Sequence, residues 1–307
     1  MVKLTIEESQ LRTLSARLLT ACKQGSVSTV RSIIPTLYPA ASSSAATAAA
    51  IASSSIVPPL TIPLATAASH GQASVLKYLL TSPPCSTSRT PWSPGISTPI
   101  SSLPDEWKEA RYSCLVPLYA VKSKSPSVVQ ALLDAGMHVD EEIEKMGPPL
   151  SIAIRTQSSE MVNFLLDKGA DVNGVEWIPP VSFLASAAER PSLDILAALL
   201  DHGATLPGSH ALRTAAEAGN ISAVEMLLER GADIDEVHKW DIYGNEMDII
   251  GTALHEAVEN DQAEMVKFLL KRGAKRDVKN GRGETAMDVA EKDNKEEILK
   301  ILDGNIA

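Results

Sequence analysis

The sequence predicts an all-α solenoid of about eight stacked helix-turn-helix units, joined by β-hairpin-like fingers. Three observations predict it. A Leu-Leu pair, with glycine four residues after its first Leu, recurs at Leu132/Gly136, Leu165/Gly169, Leu199/Gly203, Leu227/Gly231 and Leu269/Gly273. The glycines are spaced by 33, 34, 28 and 42 residues. Apolar residues make up 44% of the 307-residue chain but aromatic residues only 4%, so any core is built from Ala, Leu, Ile and Val. Side chains of that size suit helices that approach closely.

Each block has the same internal order. A first helix is Ala-rich, as in PLSIAIR (149–155), ALRTAAEAG (211–219) and TALHEAVEN (252–260). A second has the apolar spacing of a half-buried helix, as in EMVNFLL (160–166), SAVEMLL (222–228) and AEMVKFLL (263–270). Glycine then ends it, because the position after the helix cap calls for a left-handed backbone. Gly136, Gly169, Gly203, Gly231 and Gly273 are therefore expected to be structural. Ala153, Ala187, Ala215 and Ala257 fall where paired helices must lie close. A unit of this size cannot cover its own apolar face, and stacking on neighbours does so.

Thr252-Ala253-Leu254-His255-Glu256-Ala257 and the runs Gly231-Ala232-Asp233-Ile234-Asp235 and Gly169-Ala170-Asp171-Val172-Asn173 resemble the ankyrin repeat, which starts T-P-L-H-x-A and is about 33 residues long. The resemblance implies antiparallel helix pairs whose fingers and inner helices form a concave binding face. It also implies that His255, at the histidine position of that start, is a structural hydrogen-bonding residue. The pattern is strong from about Val116 to Leu302 and weaker upstream.

Residues 1–38 read as a degenerate capping repeat, 39–60 as an Ala/Ser-rich linker and 61–80 as a repeat. Residues 81–114 form a Ser/Thr/Pro-rich insertion, 115–280 the main repeats and 281–307 a polar, C-terminal capping repeat. The 42-residue spacing places roughly nine additional residues in 236–251, where Gly244-Asn245 marks a turn, so an extended hairpin finger is expected there. In the insertion, Thr90 and Ser93 precede proline and suit a proline-directed kinase, against the alternative of an unmodified loop.

The formal net charge of −10 is uneven: residues 1–114 carry 9 basic and 5 acidic side chains, and residues 115–307 carry 19 and 33, hence +4 and −14. The acidic part repels a phosphate backbone, so nucleic-acid binding is not expected. No stretch of about 18 apolar residues is present to span a membrane, and the N-terminus does not read as a signal peptide. Cys22, Cys85 and Cys114 lack paired spacing, so a reducing location, cytoplasmic or nuclear, is expected.

No catalytic constellation is found. His255-Glu256 begins like a zinc-protease motif but lacks the second His, and the acidic clusters lack a calcium-loop pattern. No metal or cofactor is expected. The chemistry left is recognition. Trp177, Trp240 and Tyr243 fall in finger segments and read either as interface anchors or as packing against the neighbouring finger. Asp235 makes the finger edge acidic, and Arg155, Arg213, Glu217, Glu256 and Glu259 are expected to line the inner face. The expected function is that of a non-catalytic interaction module, monomeric, whose protein partner is basic or amphipathic. Two alternatives stand beside it: an enzyme or small-ligand protein using the groove, and an adaptor regulated by phosphorylation in 81–104.

Overall fold

In a computed structural model of the chain, the structure describes residues 8–39, 57–81, 116–143, 146–176, 181–239 and 249–304. They form eight helix pairs in two compact units, 1–153 and 154–307. The first unit contains α1 (Glu8–Gln24), α2 (Val27–Leu37), α3 (Thr61–Ser69), α4 (Ala73–Thr81), α5 (Val116–Lys122) and α6 (Pro126–Asp134). Helices α1, α3 and α5 pack side by side as one layer, and α2, α4 and α6 as the other. The unit boundary falls within α7 (Pro149–Arg155).

The second unit repeats the plan. Its inner layer runs α9 (Phe183–Ala188), α11 (Ala211–Glu217), α13 (Ala253–Glu259) and α15 (Ala286–Lys292). Its outer layer holds α8 (Ser159–Asp167), α10 (Asp194–Asp201), α12 (Ile221–Glu229), α14 (Ala263–Lys271) and α16 (Glu296–Leu302). Each inner helix from α9 onward packs on the outer helix that follows it. Ala187, Ala215, Ala257 and Ala290 stand five residues after their respective N-caps and are buried. A methyl group there lets successive inner helices close up, and a longer side chain would force them apart.

The Leu-Leu…Gly signature is a helix-ending motif. After α8, the Gly169 N–H donates to Leu166 O and the Ala170 N–H to Leu165 O. The same pair of bonds follows α6, α10, α12 and α14, where the glycine N–H of Gly136, Gly203, Gly231 and Gly273 donates to Leu133, Leu200, Leu228 and Leu270 O respectively. It satisfies carbonyls that the helix leaves over and needs positive φ at the glycine. That angle is +101° at Gly136, +85° at Gly169, +86° at Gly203, +93° at Gly231 and +96° at Gly273. Space is not what excludes a side chain: a Cβ on Gly169, Gly203, Gly231 or Gly273 would meet nothing within 4 Å. These glycines act through backbone conformation alone, and they belong to the helix ends rather than to any binding surface. The first Leu of each pair is fixed twice, by its buried side chain and by its carbonyl.

Fingers join the pairs. Residues His238–Lys239 (β1) and Ile249–Ile250 (β2) form an antiparallel ladder, with His238 opposite Ile250 and Lys239 opposite Ile249, at the base of the 236–251 segment. An isolated antiparallel bridge, Val175 to Ser182, closes the finger before α9. Trp177, Trp240 and Tyr243, and the kinase candidates Thr90 and Ser93, lie outside the described residues.

Candidate interaction surface

The finger sequences G-A-D-V-N and G-A-D-I-D have a division of labour. Asp171 and Asp233 accept the N–H two residues on, from Asn173 and Asp235, at 2.9 and 3.0 Å, which holds each turn. The last residue reaches the next finger. Asn173 Oδ1 accepts from Thr205 N and Oγ1 at 2.9 and 3.0 Å. Asp235 Oδ1 accepts from Lys275 N at 2.9 Å, and its Oδ2 lies 3.4 Å from Lys275 Nζ. Asp235, expected at a partner-facing edge, therefore ties its finger to the following one.

His255 sits at the start of α13, buried. Its Nδ1 accepts from the Thr252 backbone N–H at 3.1 Å and lies 2.9 Å from Thr252 Oγ1, while Nε2 lies 3.2 Å from Glu284 O. A backbone N–H only donates, so Nδ1 carries no proton and Nε2–H donates to the carbonyl. Burial holds the ring's pKa below its ordinary value. A Cβ on Gly251 would come 2.5 Å from His255 Cγ, so glycine is required beside the ring.

Arg213 occupies in α11 the place His255 occupies in α13, three residues after the N-cap. It and Glu256, both expected to line the inner face, are instead turned onto one another. Arg213 Nη1 donates to Glu256 Oε1 at 2.9 Å, with side chains 10% and 7% exposed. Glu217 Oε2 lies 3.8 Å from the same Nη1. Burial pushes the Glu256 carboxyl above the usual range against the pull of Arg213, and nearby Glu259 and Glu217 push it the same way.

What the inner layer offers solvent lies one turn further on. Glu189, Glu217 and Glu259 each stand seven residues after the N-caps Ser182, His210 and Thr252, and all three are exposed. Arg155, at the end of α7, is half-buried, and Lys292 takes the equivalent place in α15. Sequence reasoning missed Glu189. Counting seven residues from each N-cap would have found it, because helix length, not motif, sets the row.

A sequence profile described as ankyrin repeats in many copies matches residues 212–270, and the single ankyrin repeat profile matches 148–176. The chain is an ankyrin-repeat protein. This ankyrin-repeat protein is 37% identical to the mouse B-cell lymphoma 3 protein homolog over 123 residues, 37% of the chain and 28% of that relative. It is 29% identical over 144 residues to human ankyrin repeat and SOCS box protein 11, 45% of the chain and 43% of that relative. It thus spans less than half the length of either. Among solved structures, the human ASB11 ankyrin repeat domain superposes with a TM-score of 0.56 at 23% identity, covering 80% of the chain and 98% of the domain. An Acinetobacter baumannii ankyrin repeat domain gives 0.50 at 27% identity, over 64% and 97%. These likenesses carry the fold of stacked ankyrin units.

Proposed function

We propose that this ankyrin-repeat protein is a non-catalytic interaction module that holds a protein partner against its inner helix ends and fingers. The observation that carries the reading is the contrast within α9, α11 and α13. Almost every side chain is buried up to the sixth position, and the seventh is a solvated carboxylate in all three. A core needs no such row, so its uniformity is explained by what it faces outside. Relatives named for ankyrin repeats support the reading. The aromatic residues Trp177, Trp240 and Tyr243 are proposed as anchors, and the setting as cytoplasmic or nuclear.

The test is affinity purification of the tagged full chain from its source cells, followed by titration of each recovered protein, purified, against the purified chain. A saturable complex is expected, and Trp240→Ala/Tyr243→Ala should weaken it by about tenfold or more. If no recovered protein binds the purified chain saturably, the reading is lost.

A further inference from the structure

Resting on that reading, we propose that the partner segment seated on the second unit is a basic amphipathic helix lying along the stack, with a cationic side chain at every seventh residue. Two rows on different elements carry this. One is the acidic row Glu189, Glu217 and Glu259. Glu189 at one end is paired with Arg190 at 3.0 Å, whereas around the centre Glu217 and Glu256 share the guanidinium of Arg213 and Glu259 adds a third carboxylate close enough to raise the pKa of Glu256. That leaves an excess of two negative charges, which a cationic partner would neutralise.

The other row is apolar. Val175 and Val237 are the exposed large hydrophobic side chains of the described residues, at 53% and 39%. Each stands six residues after a helix-ending glycine, Gly169 or Gly231, so they share one register. Each also lies on the finger that leads into an acid-bearing inner helix: Val175 is bridged to Ser182, the N-cap of α9, and Val237 precedes the β1–β2 ladder that opens onto α13.

Geometry selects the form of the occupant. Neighbouring packed helices lie about 8–10 Å apart, so the carboxylates recur at about that interval. An α-helix advances about 10 Å in seven residues and returns to nearly the same face. An extended strand covers the same distance in about three residues, and an odd step turns alternate side chains away. Within each unit, the seven residues from N-cap to carboxylate span about 10 Å of helix, and a helix with its side chains is about 10–12 Å across. One amphipathic helix can therefore set an apolar stripe on the finger bases and a basic stripe on the carboxylates.

The experiment uses the full-length chain and three fluorescein-labelled peptides of equal composition, read by anisotropy at low and high salt. The first has arginine at every seventh position with leucine three residues after each. The second permutes those residues out of register, and the third moves a proline from its end to its middle. The first should bind about tenfold or more tighter than the other two. Glu189→Gln/Glu217→Gln/Glu259→Gln should cost about tenfold and flatten the salt dependence. Val175→Ser/Val237→Ser should weaken binding several-fold and keep the salt dependence. Melting followed by circular dichroism confirms that the variants fold, and Glu217→Gln alone serves if the triple variant does not. Equal affinity for the first two peptides, or unchanged binding by a folded Gln variant, overturns the proposal. If the purified partner also binds the Gln variant undiminished, the interaction-module reading stands without this surface; if no protein binds, that reading fails on its own test.

Discussion

His255 accepts at Nδ1 from a backbone N–H, and an acceptor nitrogen carries no proton, so folding selects the neutral ring. Its pKa is lowered by burial. The stability it contributes is therefore fully present above the unfolded value of about 6.5 and is lost as pH falls below it. His202 runs the other way. Its Nδ1 bond to Ala198 O raises its pKa, so its contribution is present below that value and fades as pH rises, but it is exposed to solvent and weakly coupled. Urea melts should show the chain losing stability from about pH 7.5 to 5, and His255→Gln should flatten that slope. At neutral pH, His255→Ala should cost on the order of 1–3 kcal/mol, chiefly by leaving the Thr252 N–H without its acceptor, since the Glu284 carbonyl keeps the Asn280 N–H. An unchanged pH slope in His255→Gln would show that another group sets it. The Arg213–Glu256 pair has a different signature. Glu256→Ala strands a buried guanidinium and should cost about 3–5 kcal/mol, whereas Arg213→Met/Glu256→Leu removes both charges and should cost clearly less. A double-mutant cycle with no coupling would show that the two do not support each other.

Between elements, consecutive repeats are held by side chains that each serve two helices. Asn220 caps α12 by accepting from Ala223 N at 3.2 Å, and its Nδ2 donates to Ala188 O and Arg190 O at the end of α9, at 3.1 and 2.6 Å. Lys295 Nζ reaches Glu259 O at 2.9 Å from the matching place before α16. Asn220→Ala should cost about 1–3 kcal/mol, measured by denaturant unfolding; a loss below about 0.5 kcal/mol would mean that water replaces it. The turns within units differ in strain. Gly219 has positive φ between α11 and α12, and the corresponding residue between α13 and α14 is Asp261, at +56°. The left-handed region costs a non-glycine residue roughly 1–2 kcal/mol, and glycine's extra chain entropy offsets about half of it, so Asp261→Gly should stabilise by roughly 0.5–1 kcal/mol. A destabilised variant would mean that the Asp261 side chain holds the turn.

The helix pairs and the glycine ends were legible because each depends on residues close in sequence, a periodicity and a cap, whereas the turn expected at Gly244-Asn245 lies outside the described residues. Gly136, Gly203 and Gly273 end α6, α10 and α14 through bonds that reach back no further than the last turn of the same helix. Pairings between repeats were not legible. Arg213 and Glu256 are 43 residues apart, and the polar pattern of α11 and α13 is the same whether those side chains meet solvent or each other. Asp235 has the same ambiguity, since an acidic finger residue reads as solvated until the next finger's N–H is placed beside it.

Over the whole molecule, charge sets stability against recognition. The acidic excess of residues 115–307 persists into the fold as crowded carboxylates, most clearly where Glu217 and Glu259 both raise the pKa of Glu256 around the one guanidinium of Arg213. Like charges at such separations oppose folding by a few tenths of a kcal/mol per pair, and salt screens them within about 10 Å at about 0.1 M. Two outcomes follow for the free protein. Its melting temperature should rise as sodium chloride is added at neutral pH, and Glu217→Gln should raise it at low salt with the gain shrinking as salt increases. The same substitution removes a member of the proposed docking row, so it should stabilise the chain while weakening its complex. Thermal melts and binding titrations on one preparation of Glu217→Gln measure both. A variant that loses stability at low salt would mean that Glu217 supports Arg213 more than it repels Glu256, and that the row is held in place by the fold rather than against it.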